Sequence, residues 1–528
     1  MSKRDLLLGD EAVALGAIHA GISGAFSYPG TPATEIFEYV ESIAAEHGVS
    51  AHWSANEKVA YEEALGMSFV GRRALVSMKH VGLNVAADAF MNSAVTGAHG
   101  GLVLCMADDP GMHSSQNEQD SRYFAHFALI PCIEPVNQQE AYDATRLAFD
   151  LSEKHGIPVM VRIVTRLAHS RSDVVTGDKL PQKPLDKTQR RGAFTLLPTN
   201  ARVQYQTLTD KQPALQAESE ASPYNILDLS APDSRRGILV NGIAFNYLRE
   251  VFSGTVPHKF VKVGMYPLPV QKIRKLVEAV DEVVVVEEGY PFMEEALRGV
   301  MGAAGKTIRG KLDGFLPRAG ELNPGVVATA FGIPAEAPFA PTLDPVPARP
   351  PSLCPGCSHV DTFLALNDAL AGQAQSTVFS DIGCYTLGFY PPYSAIESCV
   401  DMGASVSMAL GAARAGFKPV LCAVGDSTFC HGGMTGLLTA AHINAAMTVL
   451  ILDNGTVAMT GSQETMATGE ALDRIVLGLG VHPDHFKVVT PLPAKRKEIT
   501  DIIRKELEYE GLSVIITRRP CIHLRRKA

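Results

Sequence analysis

The chain has 528 residues, 46% of them hydrophobic and 20% charged, which is too long for one core and too apolar for disorder; about three globular domains are expected. A net charge of -9, with no Lys/Arg cluster interleaved with aromatics, excludes a nucleic-acid groove, so no nucleic-acid partner is expected.

At the N-terminus, the run Leu6–Leu8 meets Asp10 and Glu11 too soon for a secretory signal. No stretch of about 18 uninterrupted apolar residues follows, so no membrane span is expected and the location should be cytoplasmic. The nine cysteines read as thiols or metal ligands rather than as a disulfide framework.

Residues 1–170 alternate helix-like patterns with short apolar runs at Arg73–Met78, Gly101–Ala107 and Pro158–Val164, as a parallel sheet flanked by helices would. Residues 171–235 are polar and without clear period, which predicts a linker or surface excursion. A second α/β block covers 236–333, with strands at Gly237–Asn241 and Glu282–Val286; the Pro-rich stretch 334–351 is read as a linker. A third block covers 352–528, so the expected fold class is α/β, with three doubly wound parallel-sheet domains.

The sharpest signal lies in the third block. The apolar run Pro419–Val424 leads into Gly425-Asp426-Ser427, a helical segment is expected from about Gly432 to Ala446, and the run Met447–Leu452 leads into Asp453-Asn454-Gly455-Thr456. Two parallel strands joined by a crossover helix would put both polar tips on the carboxyl edge of one sheet, where such folds bind ligands. Magnesium on a diphosphate takes hard oxygen ligands, which Asp426, Asn454 and the Thr456 carbonyl would supply, while Gly425 lets backbone approach phosphate. The pattern resembles the thiamine-diphosphate motif, Gly-Asp-Gly followed by a distant Asn, with Ser427 in place of the second Gly. Either half alone is also what an ordinary strand-to-turn junction looks like.

Thiamine chemistry needs a carboxylate against the aminopyrimidine ring, and Glu57, opening a helix pattern, is the candidate, although acidic residues at helix starts are also favoured by the dipole. The segments Ser27-Tyr28-Pro29-Gly30-Thr31-Pro32, Asn56-Glu57-Lys58-Val59, Met78-Lys79-His80-Val81-Gly82-Leu83-Asn84, Met112 to Asp120, and Asp381-Ile382-Gly383-Cys384-Tyr385-Thr386 resemble the alpha subunit of indolepyruvate ferredoxin oxidoreductase, in the 2-oxoacid:acceptor oxidoreductase superfamily. The resemblance implies a pyrimidine-binding domain first, a transketolase-C-terminal-like domain in the middle and a diphosphate-binding domain last. It maps the activating role onto Glu57, places Thr31 beside the substrate carbonyl and offers Arg122 as a fork for the substrate carboxylate. Lys79 and His80 could polarise the keto group or simply build a turn.

Cys354-Pro355-Gly356-Cys357 opens the third block and Cys384 follows, a set suited to an iron–sulfur cluster or zinc. The superfamily's smaller enzymes add a Pro-Cys near the domain's end, which maps a fourth ligand of a [4Fe-4S] cluster onto Cys521; a structural turn and an ordinary terminal cysteine remain the alternative. Cys105, Cys132, Cys399, Cys422 and Cys430 read as core packing. The implied reaction is oxidative decarboxylation of an aryl 2-oxo acid to its coenzyme A thioester, with a non-oxidative decarboxylase as the rival. The sequence stops at Ala528 without the ferredoxin-like domain usual in this family, so electrons are expected to leave through a separate ferredoxin-like or flavin carrier. A gamma- or beta-type small subunit is the implied partner, in a hetero-oligomer containing a dimer of this chain.

Overall fold

The computed structural model describes residues 3–186, 192–233, 235–299, 305–334, 351–373 and 376–524. The proposed Pro-rich linker therefore lies, except for its two end residues, outside the described residues. The chain divides into two compact units, Met1–Thr342 and Leu343–Ala528. Among the described residues no helix is long and apolar enough to cross a membrane.

Unit 1 contains β1 (Lys3–Leu8), β2 (Gly24–Ser27), β3 (Ser50–Trp53), β4 (Ala74–Lys79), β5 (Leu102–Asp108), β6 (Cys132–Ile133), β7 (Val159–Val164) and β8 (Arg171–Thr176). These are followed by β9 (Ile226–Asp228), β10 (Arg236–Asn241), β11 (Lys259–Val263), β12 (Met265–Tyr266), β13 (Glu282–Val286) and β14 (Thr307–Arg309). One seven-stranded sheet runs β12-β6-β7-β5-β4-β2-β3, and a five-stranded sheet runs β14-β13-β10-β11-β9. Every residue of β4, β5 and β7 is buried, which is why these strands read as continuous apolar runs: a central parallel strand is covered on both faces. Helices α1 (Gly9–His19), α2 (Thr34–His47), α3 (Glu57–Phe69), α4 (His80–Thr96) and the short α5 (Arg122–Phe127) follow strand ends in turn.

Two features depart from the sequence expectation. The polar stretch 171–235 carries β8, two helices at Pro198–Asp210 and Gln212–Ala221, and β9. Only Leu208 is buried on the first helix, and Leu215 and Ser219 on the second, too thin an apolar stripe to announce itself. Second, β12 comes from the second α/β block yet pairs antiparallel with β6, so the first and second blocks share a sheet inside one unit.

A buried ion network reinforces that junction. Arg162 bonds Asp108 at 2.7 Å and also Glu134, whose carboxylate takes the Asn241 amide and the Tyr266 hydroxyl. Arg122, expected to fork a substrate carboxylate, is only 1% exposed and already committed. Its guanidinium bonds Asp120 through Nε and Nη2, Glu287 at 3.0 Å, the Tyr266 hydroxyl and the carbonyls of Glu288 and Tyr290. With every arm of the fork taken, Arg122 is a structural cation, and the substrate-clamp expectation is corrected. Removing one partner of a buried pair leaves uncompensated charge, so Arg122→Ala should destabilise unit 1 by about 3–5 kcal/mol in urea unfolding. A variant of unchanged stability with only a raised KM for the oxo acid would restore the clamp.

Among the described residues, unit 2 carries one sheet in the order β15-β16-β17-β19-β18, from β15 (Thr377–Ser380), β16 (Val420–Gly425), β17 (Met447–Asp453), β18 (Phe486–Val489) and β19 (Leu512–Arg518). All its pairings are parallel. The helical path between β16 and β17 starts at Asp426 itself, passes through a π turn at Phe429–Gly433 and ends at His442, earlier at both ends than expected.

Candidate active site

In unit 1, parallel β2, β3, β4 and β5 deliver their following residues to one carboxyl edge. Thr31 lies in the turn after β2; Glu57 opens α3, with Asn56 capping the helix by accepting the Val59 N–H at 2.9 Å. Lys79 ends β4 and His80 opens α4. The loop after β5 laces these together: the Ser114 hydroxyl donates to the Thr31 carbonyl at 3.1 Å, and Lys79 Nζ donates to the Ser114 carbonyl at 2.6 Å. His80 Nε2 stands 3.1 Å from the Asn117 carbonyl.

Glu57 is buried, and Gly82 is why it fits: a Cβ on Gly82 would stand 2.6 Å from Glu57 Cγ and 2.7 Å from Oε1. Burial pulls the Lys79 ammonium down to about 8, a fall partly offset by the charges of Asp109 and Glu57. Lys79 can thus carry or release a proton near neutral pH. Asp109, which the sequence did not single out, anchors the loop by accepting from the Ser114 N–H, the Ser115 hydroxyl and the Thr165 hydroxyl.

In unit 2, the pairing of β16 with β17 matches Gly425 to Leu452, and Asp426 lies beside the Asn454 turn: its Oδ2 accepts the Gly455 N–H at 3.0 Å. Burial, and then the charge of Asp453, push the Asp426 carboxyl up to about 8, so the site favours whatever brings positive charge to that oxygen. Asn454 Oδ1 accepts the Thr456 N–H at 3.1 Å and Thr456 is itself buried. Ser427 is buried in the first turn of the helix. One carboxylate, one amide oxygen and a nearby backbone turn form the hard-oxygen donor set that Mg²⁺ on a diphosphate takes, so these residues fit that pair. The space beside Gly425 is filled by the Tyr385 ring, whose Cε1 a Cβ would meet at 2.7 Å; the glycine is needed for this packing.

The cysteines of unit 2 sort into two groups. Cys105 and Cys132 in unit 1, and Cys422 and Cys430 here, are buried as expected, but Cys399 is exposed, because the segment after Ile396 leaves the core; that expectation is corrected. Cys354, Cys357, Cys384 and Cys521 are all free and half-buried. Burial first, and then the proximity of Cys357, Cys521 and Cys354, push the Cys384 thiol up to about 12. Gly356, at φ 81°, makes the Cys354–Cys357 turn, and Arg519 grips it by bonding the Gly356 carbonyl and Asp361. The Cys521 N–H donates to the Asn454 carbonyl at 2.9 Å, and the Asn454 amide reaches the fully buried His359, two residues past Cys357, at 3.4 Å. Burial lowers His359 to about 4 and keeps it a neutral acceptor. Neither Arg519 nor His359 was legible from sequence, since both act through partners distant in the chain.

Comparison with known proteins gives the family. The family model "Pyruvate flavodoxin/ferredoxin oxidoreductase, thiamine diP-bdg" matches residues 15–225, and "Thiamine pyrophosphate enzyme, C-terminal TPP binding domain" matches 381–517. The 2-oxoglutarate:ferredoxin oxidoreductase of Magnetococcus marinus shares the fold, with a TM-score of 0.52 over 62% of this chain and 65% of that one at 16% identity. Fold and family matches define a thiamine-diphosphate-dependent 2-oxo acid oxidoreductase subunit. Indolepyruvate oxidoreductase subunit IorA of Methanothermobacter thermautotrophicus is 37% identical over 98% of this chain and 86% of its own length. The IorA of Archaeoglobus fulgidus is 38% identical over 99% and 87%. The chain belongs to the IorA family of indolepyruvate oxidoreductase subunits.

Two variants test the site. Gly82→Ala should leave the fold intact but displace the Glu57 carboxyl, slowing deuterium exchange at the thiazolium carbon of bound thiamine diphosphate at least about tenfold; wild-type exchange would show that Glu57 does not activate the cofactor. Asp426→Ala should abolish Mg²⁺-dependent thiamine-diphosphate binding in calorimetry, because it removes the one carboxylate of the candidate metal site. Unchanged affinity would reject that assignment.

Proposed function

We propose that the chain carries out oxidative decarboxylation of an aryl 2-oxo acid of the indolepyruvate or phenylpyruvate type. The 2-oxo carboxylate and the coenzyme A thiol become acyl thioester, carbon dioxide and a proton, and the two electrons pass to a ferredoxin-type or flavin carrier; Cys354, Cys357, Cys384 and Cys521 would hold a [4Fe-4S] cluster suited to one-electron transfer. Bound thiamine diphosphate supplies the nucleophilic carbon and the electron sink. In this reading Glu57 holds a proton at the aminopyrimidine ring nitrogen, Thr31 hydrogen-bonds the substrate keto oxygen, and Lys79 and His80 keep the loop after β5 in place with Lys79 available to polarise that oxygen. Asp426, Asn454 and the Thr456 carbonyl would hold Mg²⁺, and Gly425 and Ser427 would line the diphosphate.

The observation that carries the oxidative reading is the pair of bonds made by Asn454. Its carbonyl takes the Cys521 N–H and its amide reaches His359 beside Cys357, so the cysteines abut the diphosphate end of the site. The aryl specificity rests on the relatives' name, indolepyruvate oxidoreductase. A gamma- or beta-type small subunit completes the enzyme, in a hetero-oligomer with two copies of this chain.

Anaerobically purified protein should contain about four irons per chain and show thiolate-to-iron absorption that bleaches with an aryl-pyruvate. Cys354→Ser should lower iron and acceptor reduction while thiamine diphosphate still binds. Zinc in place of iron, or sustained aldehyde release without an acceptor, would establish a non-oxidative decarboxylase instead.

A further inference from the structure

Away from the cysteines and the diphosphate edge, unit 1 holds a second group of ligand-type side chains. Asp10 is the second residue of α1, Glu35 the second residue of α2, and His169 follows the short helix Thr165–Ala168. One ligand atom from each lies within 4.8 Å of the other two, the one such group among the described residues. Asp10 is fully buried, at 0% exposure, and neither carboxylate oxygen receives a hydrogen bond from an N–H or O–H of the protein. What faces it is the Glu35 carboxylate, which is also an acceptor, and His169 Nε2 stands 3.5 Å from Glu35 Oε2.

Two acceptors turned toward each other in a buried pocket need either a proton or a cation between them. Burial and the neighbouring Glu35 charge push the Asp10 carboxyl well above its ordinary range, which expresses that need. Three features favour a metal. The imidazole adds a nitrogen ligand atom within 4.8 Å of a carboxylate oxygen of both Asp10 and Glu35. The Glu35 and His169 side chains are each 36% exposed, giving an ion a way in and room for water ligands, while Asp10 closes the inner face. The charges of two carboxylates and a neutral imidazole balance a dication.

We propose that Asp10, Glu35 and His169 bind a divalent cation of the Mn²⁺, Fe²⁺ or Zn²⁺ class through two carboxylate oxygens and one imidazole nitrogen. The ion would tie the starts of α1 and α2 to the turn before β8. Glu35 is adjacent to Thr34, whose hydroxyl accepts the Gly30 N–H at 3.0 Å, so the tie reaches the turn that carries Thr31. The site is a structural one beside the candidate active site, and it does not depend on the proposed reaction.

Manganese is the suitable probe, because thiolates compete poorly for it. Binding of Mn²⁺ to the full-length protein, followed by loss of the free aquo-ion EPR signal, should show one more ion per chain in wild type than in His169→Ala or Asp10→Asn. Losing one of three ligands should weaken that site at least about tenfold. Mn²⁺ should also raise Tm in wild type by an increment that both variants lack. Mn²⁺ held at the diphosphate site appears equally in all three proteins and cancels. The Asp10→Asn amide can donate to Glu35, so this variant should be at least as stable as metal-free wild type; if it does not fold, the exposed His169 variant carries the same readout. Equal Mn²⁺ counts in wild type and His169→Ala would overturn the proposal and leave a shared proton between Asp10 and Glu35.

Discussion

The parallel pairing of β16 with β17 is the constraint on which unit 2 depends. It matches Gly425 to Leu452, so Asp426 and Asn454, each just past the end of a buried strand, emerge together at one sheet edge. The next pairing, β17 with β19, matches Asp453 to Arg518 and thereby brings the segment from Arg519 to Cys521 against Asn454. Apolar burial drives both pairings, since β16 and β17 are buried along their whole length, and each buried methylene contributes about 0.8 kcal/mol. The polar tips are thus carried to the edge by strands whose own residues have nothing to do with chemistry.

Unit 1 applies the same rule with a harder problem of polar satisfaction. Glu57, Lys79, His80, Arg122 and Arg162 are all buried, and groups left unpaired there would each cost a kcal/mol or more, roughly 1–3 for a neutral group. The loop after β5 offers its own carbonyls to Lys79 Nζ and His80 Nε2 and is itself anchored on Asp109. The two arginines are satisfied by carboxylates and carbonyls from both sheets, which also explains why the first and second α/β blocks form one unit.

Burial is the common cause of the shifted protonation equilibria. It raises Asp426 to about 8, lowers Lys79 to about 8 and lowers His359 to about 4, in each case by disfavouring the charged form. The same cause has different uses: Asp426 is left seeking a cation, Lys79 is brought close to neutrality, and His359 is fixed as a neutral acceptor for Asn454.

From the sequence alone came seven of the strands, each within a residue or so of its ends, and the association of Asp426 with Asn454 and of Glu57 with a helix start. Central parallel strands are legible because burial on both faces makes them continuous apolar runs, and edge residues because they directly follow such runs. The cysteines were legible as chemistry-bearing types at readable spacing. What only the tertiary structure decided depends on partners far away in the chain. Arg122 reads as a free guanidinium until Glu287 and the carbonyls of Glu288 and Tyr290 arrive from another sheet. Cys399 reads as core until its segment turns outward, and Gly82 reads as an ordinary helix residue until Glu57 fills the space of its missing side chain. Local pattern encodes which residues are buried along an element; which polar groups then meet is set by how the elements pack.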